Sequence, residues 1–599
     1  MTILHYLYTN TAFLHLSIIL SVFILTYCRV LGKDFYWCID DIEGIARFSE
    51  TLDEKTKVKI DSYEVTAGKG KVKYLSFIPA LGFPGCVLRF IRLHIGKHFR
   101  EIGKNAKGHE VYGFAQSPVR HHAFSMLIQA ACLVLGYFYL VSFLPAAIAF
   151  GACLLYAVHP LTTQTVGWIS GVNYSISLMF SLALLNTAIY LHGPAVKYLL
   201  IMLLSFFAGI TVYIGCFTPL VLLVHGLYAD AFFAGIVALG ILVFAGLKTR
   251  KYRSDNFKEQ NMGHTLSLNW RKPLVMVKTI GYYMVHCLAP LHMGLYHTWG
   301  YFYEPPLERI DKRFFFGVFS IALLAGAFIS GSFGIKLGVV WFLAYLFLFT
   351  NFITAQQFVA DRYATVPAFG VCIILSVLLY GSPFFWVLVG LYAMRSFLHL
   401  PTFKNEVDFF LSNWLNFRKS EVSLGNLGVA YANQGMPGMA VDMWRLATQI
   451  NPHYDVPWYN LYSVFKGQGR LQDAKDFLRK CLDAKVVHFE KRWNEEYVQL
   501  ETLMQTQSSP LTGPASAVYQ AAAEYYKAND HVHELECLEK FLASDTTGVI
   551  PIMIEEIKKR IGQIKSDNLV RDSLPKPEGP VTVGPHSVDS GSGLSQRQS

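Results

Sequence analysis

The sequence predicts an all-α membrane protein, a polytopic helical bundle of about eleven spans followed by a short helical-repeat solenoid. Three observations carry that expectation. Of the 599 residues, 53% are apolar and 15% aromatic, and the mean hydropathy is positive, beyond what an ordinary soluble globule carries. Apolar segments long enough to cross a bilayer recur through roughly the first 400 residues. After Leu400 the charge density rises and a 34-residue period begins.

The first span, Thr11 to Leu31 within residues 1–33, matches the length a bilayer core requires. It has no charged leader, and its flank TYCRVLGKD is a poor small-residue cleavage site, so it reads as a retained span. Residues 34–121 form a polar, basic loop that carries Asp40 and Asp41. Within it Arg89, Arg92, Lys97 and Arg100 interleave with apolar residues, the pattern of an interfacial amphipathic helix or of a basic solvated one.

Residues 122–400 are the transmembrane core. Its expected spans are 122–143, 144–158, 168–191, 197–213, 214–229, 231–247, 314–332, 335–352, 365–381 and 384–398. The window 273–297, with His286, His292 and His297, is only moderately apolar and is expected to dip into the membrane or lie at its surface. With a cytosolic N-terminus, an odd count puts residues 34–121, 159–167, the junction near 213, 248–272, 353–364 and the C-terminus on the far side together. The short basic loop of Lys248, Arg250, Lys251, Arg253 and Lys258 opposes this by the positive-inside tendency.

Residues 401–548 read as tetratricopeptide helix pairs. Leu427, Gly428, Tyr431, Gly435, Ala440, Trp444 and Ala447 recur as Leu461, Tyr462, Phe465, Gly469, Ala474, Leu478 and Cys481, and Asn451-Pro452 closes the first unit. Two clear repeats fill 421–488 and a degenerate pair is expected over 515–548. So short a solenoid must lean on a neighbour. It either binds a peptide or protein or caps the membrane domain. Residues 549–599 are expected to hold a terminal helix and then, from Ser566, a Pro/Gly/Ser-rich disordered tail.

Several function classes drop out. The net charge of +10 is spread over separate loops, with no recognition-helix or zinc-finger spacing. The ten Cys include no CxxC pair, and no GxGxxG follows a strand. His121, His122, His286, His292 and His297 have no carboxylate at metal-ligand spacing and read as interfacial residues. An Asp pair can bind Mg²⁺ or Mn²⁺, but no third ligand lies nearby, so no metal or cofactor is required. A transporter is disfavoured by the scarcity of intramembrane ionisable residues.

Asp40 and Asp41 lie about ten residues past the first span, in DFYWCIDDIEG. A carboxylate beside the membrane can deprotonate an acceptor hydroxyl where a lipid-linked donor lies. Asp-Asp is equally an ordinary loop dipeptide.

Taken in order, Asp40-Asp41, SPVRHHAFSMLIQ at 117–129, LYAVHPLTTQTVGWISG at 155–171 and VADRYATVPAFG at 359–370, followed by the repeats, resemble the transmembrane-and-tetratricopeptide protein O-mannosyltransferases. These are polytopic glycosyltransferases of the GT-C class. The resemblance implies an inverting enzyme that moves mannose from dolichyl-phosphate, or another polyprenyl-phosphate carrier, to a protein Ser/Thr hydroxyl on the luminal or extracytoplasmic side. The protein acceptor would be held by the repeats. The matching residues make Asp40 or Asp41 the general base. Arg362 beside Asp361 is the leading cation for the departing phosphate, with Lys248, Arg250 and Arg253 the diffuse alternative. Asp361–Arg362 is otherwise a surface ion pair at a span end. His159 is either a donor contact or a polar cap where the helix breaks before Pro160. The membrane would be the endoplasmic reticulum in a eukaryote and the inner membrane in a bacterium.

Two departures stand out. The family's His-Thr-Glu after His-Pro is Thr162, Thr163 and Gln164 here, and its Lys-Glu junction is the uncharged TVYIGCFTPL at 211–220. Lost membrane charges favour an alternative, a degenerate scaffold that binds partners through its repeats.

Overall fold

The computed structural model describes residues 10–33, 50–51, 95, 97–104, 110–255, 272–294, 310–350, 359–418, 420–452, 454–483, 490–508, 522, 525, 531–543 and 557–565. Asp40, Asp41, His297 and the tail from Ser566 lie outside the described residues. The chain divides into two units, Met1–Asn494 and Glu495–Ser599.

The first unit begins with α1 (Asn10–Tyr27), α2 (Pro118–Val141), α3 (Ala146–Ala157) and the single turn α4 (Thr163–Gly167). Then come α5 (Asn173–Tyr190), α6 (Pro194–Thr211), α7 (Thr218–Val224) and α8 (Tyr228–Asp255). It continues with α9 (Lys272–Leu288), α10 (Lys312–Ser330), α11 (Phe333–Leu346), α12 (Asp361–Leu379) and α13 (Pro383–His399). The starts are locally encoded. Ser117 caps α2 ahead of Pro118, Asp311 caps α10 through the Arg313 and Phe314 amides, and Pro194 and Pro383 occupy first turns where a missing N–H costs nothing.

Among the described residues, nine helices are long and apolar enough to cross a membrane. The bent pair Ala146–Ala157 and Pro160–Gly167, with a 52° angle between them, makes ten if counted as one span. This corrects the expected count of eleven. The segment expected as span 214–229 is a 3₁₀ turn leading into the short α7, which ends at Gly226 with φ 71°. The chain still alternates direction. Ser142, Leu144, Tyr190, His225, Phe333 and Tyr380 gather at one end of the bundle, where connections are tight turns. At the other end lie Tyr27, His159, Asp361 and Ser396. We call these the turn end and the loop end. Among the described residues, the long connections that follow Lys33, Gly294 and Thr350 leave from the loop end.

α9 does not traverse the bundle. Its Lys278 meets Asp311 at 3.1 Å, Tyr283 meets Ala360 and His286 meets Asp361, all at the loop end. The basic segment expected as a loop is instead helix. α8 runs unbroken through Lys248, Arg250 and Arg253 to Asp255, about 42 Å, so it outreaches a hydrocarbon core of about 30 Å. The all-α expectation also needs one correction. Strands β1 (Glu50–Thr51), β2 (Lys97–Lys104) and β3 (Glu110–Gln116) form an antiparallel sheet in the order β1-β3-β2, so Lys97 and Arg100 sit on a strand and not on an amphipathic helix.

Beyond α13 come α14 (Glu406–Asn416), α15 (Glu421–Asn433), α16 (Pro437–Ile450), α17 (Asp455–Gly467) and α18 (Leu471–Asp483). The α15–α16 and α17–α18 pairs bury the periodic positions Leu427, Ala440, Trp444 and Ala447, then Leu461, Phe465, Ala474, Leu478 and Cys481. Gly435 and Gly469 end the first helix of each pair with φ 74° and 72°, a left-handed turn in which only glycine is unstrained.

In the second unit, α19 (His531–Ala543) packs Leu538 and Phe541 on Ala522, Ile557, Ile561 and Ile564. Glu534 binds Arg560 at 2.8 and 3.0 Å and His531 at 2.7 Å.

Candidate functional site

α12 opens on Asp361 and Arg362, and both are buried, 1% and 7% exposed. A surface ion pair is thereby excluded. The Asp361 carboxylate accepts from His286 Nε2 at 2.7 Å and from the Gly294 amide at 2.7 Å. It thus pins the end of α9 and the peptide after it to the first turn of α12, where the helix dipole also favours an anion. His286 was expected to be a partnerless interfacial residue. It is buried, and its carboxylate partner lies 75 positions away in the chain. His121 and His122 are likewise buried in α2.

Arg362 is held by aromatic rings. Its guanidinium carbon lies 4.8 Å from the Tyr363 ring centroid and 5.6 Å from that of Trp168. The Tyr174 hydroxyl is within hydrogen-bonding reach. Stacking on rings of this kind contributes about 1–2 kcal/mol when desolvated. The Arg362 backbone amide, one of the unsatisfied donors of a helix start, gives its proton to Gln164 Oε1 at 2.7 Å. Gln164 therefore serves as a cap supplied from another segment.

His159 is fully buried and both ring nitrogens are engaged. Nδ1 accepts from the Leu161 amide at 3.2 Å, and Nε2 donates to the Cys287 carbonyl at 2.9 Å. This is the polar-cap reading of His159, and it leaves neither nitrogen for a ligand. Tyr27, from the first span, donates to the His159 carbonyl at 3.1 Å and bonds Thr162. Thr365 donates to the Leu161 carbonyl at 3.1 Å. The HPLTTQ turn is thus sewn onto the start of α12.

Lys33, the last described residue before the Asp pair, also sits at the loop end, since the preceding turn Cys28–Gly32 packs on Leu400–Phe403. The structure therefore brings together His159, Asp361 and Arg362. Of Lys248, Arg250 and Arg253 it gives only their place on α8.

An open apolar groove of about 430 Å³ lies between α7 and α11, lined by Phe217, Leu220, Val224, Val340, Ala344 and Phe347. Two residues past Phe347, Phe349 stacks on Tyr363, the ring under Arg362, with ring centroids 4.1 Å apart. The chain matches no family model and no curated protein. Among the described residues, no group of three or more His, Cys, Asp or Glu is placed to hold a metal ion.

Sequence reasoning missed three participants: His286, Gly294 and Gln164. Gln164 alone left a signal, as the uncharged residue at a position where the resemblance expects an acid.

Proposed function

We propose that this protein is an inverting membrane glycosyltransferase that moves a sugar from a polyprenyl- or dolichyl-phosphate carrier to a protein hydroxyl. By the resemblance, the sugar is mannose, the bundle is of the GT-C type and the α15–α18 pairs are tetratricopeptide repeats that hold the acceptor. The observation that carries the reading is Arg362, a permanently charged group buried on aromatic faces at the end of the bundle from which Lys33 leads toward Asp40. An extended chain from Lys33 reaches Asp40 within about 25 Å.

In this reading the Asp40 or Asp41 carboxylate takes the proton of the acceptor hydroxyl. The hydroxyl oxygen attacks the anomeric carbon, the carbon–oxygen bond to phosphate breaks, and the lipid phosphate leaves with the electron pair. Arg362 offsets the charge that grows on the phosphate. The apolar groove suits the carrier's hydrocarbon. The test replaces Asp40 and Asp41 singly with Asn and follows transfer from a labelled lipid-linked sugar. The reading fails if both folded variants transfer at the wild-type rate.

A second reading, a membrane scaffold without catalysis, is favoured by the 211–220 turn. That turn is closed by packing, with Gly215 against the Ala208 backbone and Thr218 bonded to Ser181 and Tyr345 at 3.0 Å. It predicts that removing residues 421–488 abolishes function while the Asp substitutions are silent.

A further inference from the structure

Residues 287–294 leave the end of α9 as a strap with little helix of its own, yet side chains hold its carbonyls one after another. His159 donates to Cys287 O at 2.9 Å, and Tyr392 to Leu288 O at 2.7 Å. Arg395 donates to Pro290 O at 3.4 Å and Leu291 O at 2.8 Å, and Asn416 to Met293 O at 3.0 Å. The Gly294 amide ends the series on Asp361. The donors come from the His159 turn, α13 and α14.

The far end of the strap meets the repeats. Gly294 lies so close to Asn413 that a Cβ there would collide with its Oδ1. Asn413 is 2% exposed and donates to Ser423 Oγ in the first turn of α15. Asp361, Gly294, Asn413 and Ser423 thus form an unbroken series of close contacts from the start of α12 to the first repeat helix. Packed segments of this kind pass displacement on, because they have no room to absorb it.

We infer that the 287–294 strap couples the repeat helices to the start of α12, so that a protein segment seated on the repeats changes the setting of Asp361 and Arg362. Such coupling runs equally in both directions. It stands apart from the transfer reaction, because neither donor nor acceptor is needed to detect it.

Hydrogen exchange of the full chain in lipid nanodiscs tests it. Asn416→Ala is expected to speed amide exchange at residues 161–165 and 361–365 about tenfold, the effect of one lost hydrogen bond of about 1.4 kcal/mol. Asp361→Asn is expected to speed exchange at 421–427 comparably. Leu415→Ala, at a position 49% exposed, leaves both segments unchanged. Should Asn416→Ala not give folded protein, Asn416→Ser is read in the same way. Faster exchange confined to the substituted side of the strap, in either direction, overturns the coupling.

Discussion

The Asp361 carboxylate holds His286 with one oxygen and the Gly294 amide with the other, each at 2.7 Å, in a site from which solvent is excluded. The two oxygens thereby clamp α9 and its strap to the start of α12, beside the buried cation of Arg362.

Removing that clamp leaves a buried imidazole and a buried amide without their acceptor. Asp361→Ala is therefore expected to lower stability by about 3 kcal/mol. Thermal unfolding of purified protein in detergent checks this, and His286→Ala should fall in the same direction. A double-mutant cycle between the two should show strong non-additivity, since they share one bond.

Arg362→Gln keeps hydrogen-bonding capacity and loses the charge. If Arg362 balances a leaving phosphate, transfer falls at least about 100-fold, the usual effect of deleting a stabiliser of developing charge. Arg362→Lys restores the charge but not the planar stack on Tyr363 and Trp168, so an intermediate rate is expected. Equal rates for both variants and wild type would remove Arg362 from the chemistry.

Gly215→Ala places a methyl group against the carbonyl carbon and oxygen of Ala208, backbone atoms that cannot swing aside. A loss of about 1–3 kcal/mol is expected, read as a lower unfolding temperature. Gly235→Ala, where nothing lies within 4 Å, serves as the neutral control.

Asp311 gives a pH dependence with a defined sign. Burial pushes its carboxyl up, but bonds from Arg313, Lys278 and the Phe314 amide outweigh this and hold it down to about 2, against an ordinary 3.8. Folding therefore favours the charged form. The stabilisation is complete above about pH 4 and fades as the pH falls toward 2. The difference in unfolding temperature between wild type and Asp311→Asn should be largest near neutral pH and shrink over that acid window. A difference that holds constant into acid would contradict the assignment.

How much of this was legible depended on sequence distance. The spans and the 34-residue pairs are local patterns, so hydropathy and period revealed them, and Gly435 and Gly469 fall on the expected turns. His286 and Asp361 lie 75 residues apart, and no spacing rule joins them. The interleaved charges of Lys97 and Arg100 fit a helix face and a strand about equally well, and the strand won through pairing with β3. The count of spans came out high because apolar length was read without the breaks after Ala157 and at Gly226.

The tight turns at 142–145, 191–193, 225–227, 331–332 and 380–382 have a consequence of their own. Among the described residues, they leave little polypeptide beyond the helices at that end of the bundle. An epitope inserted into any of those five bends would report which compartment the turn end faces.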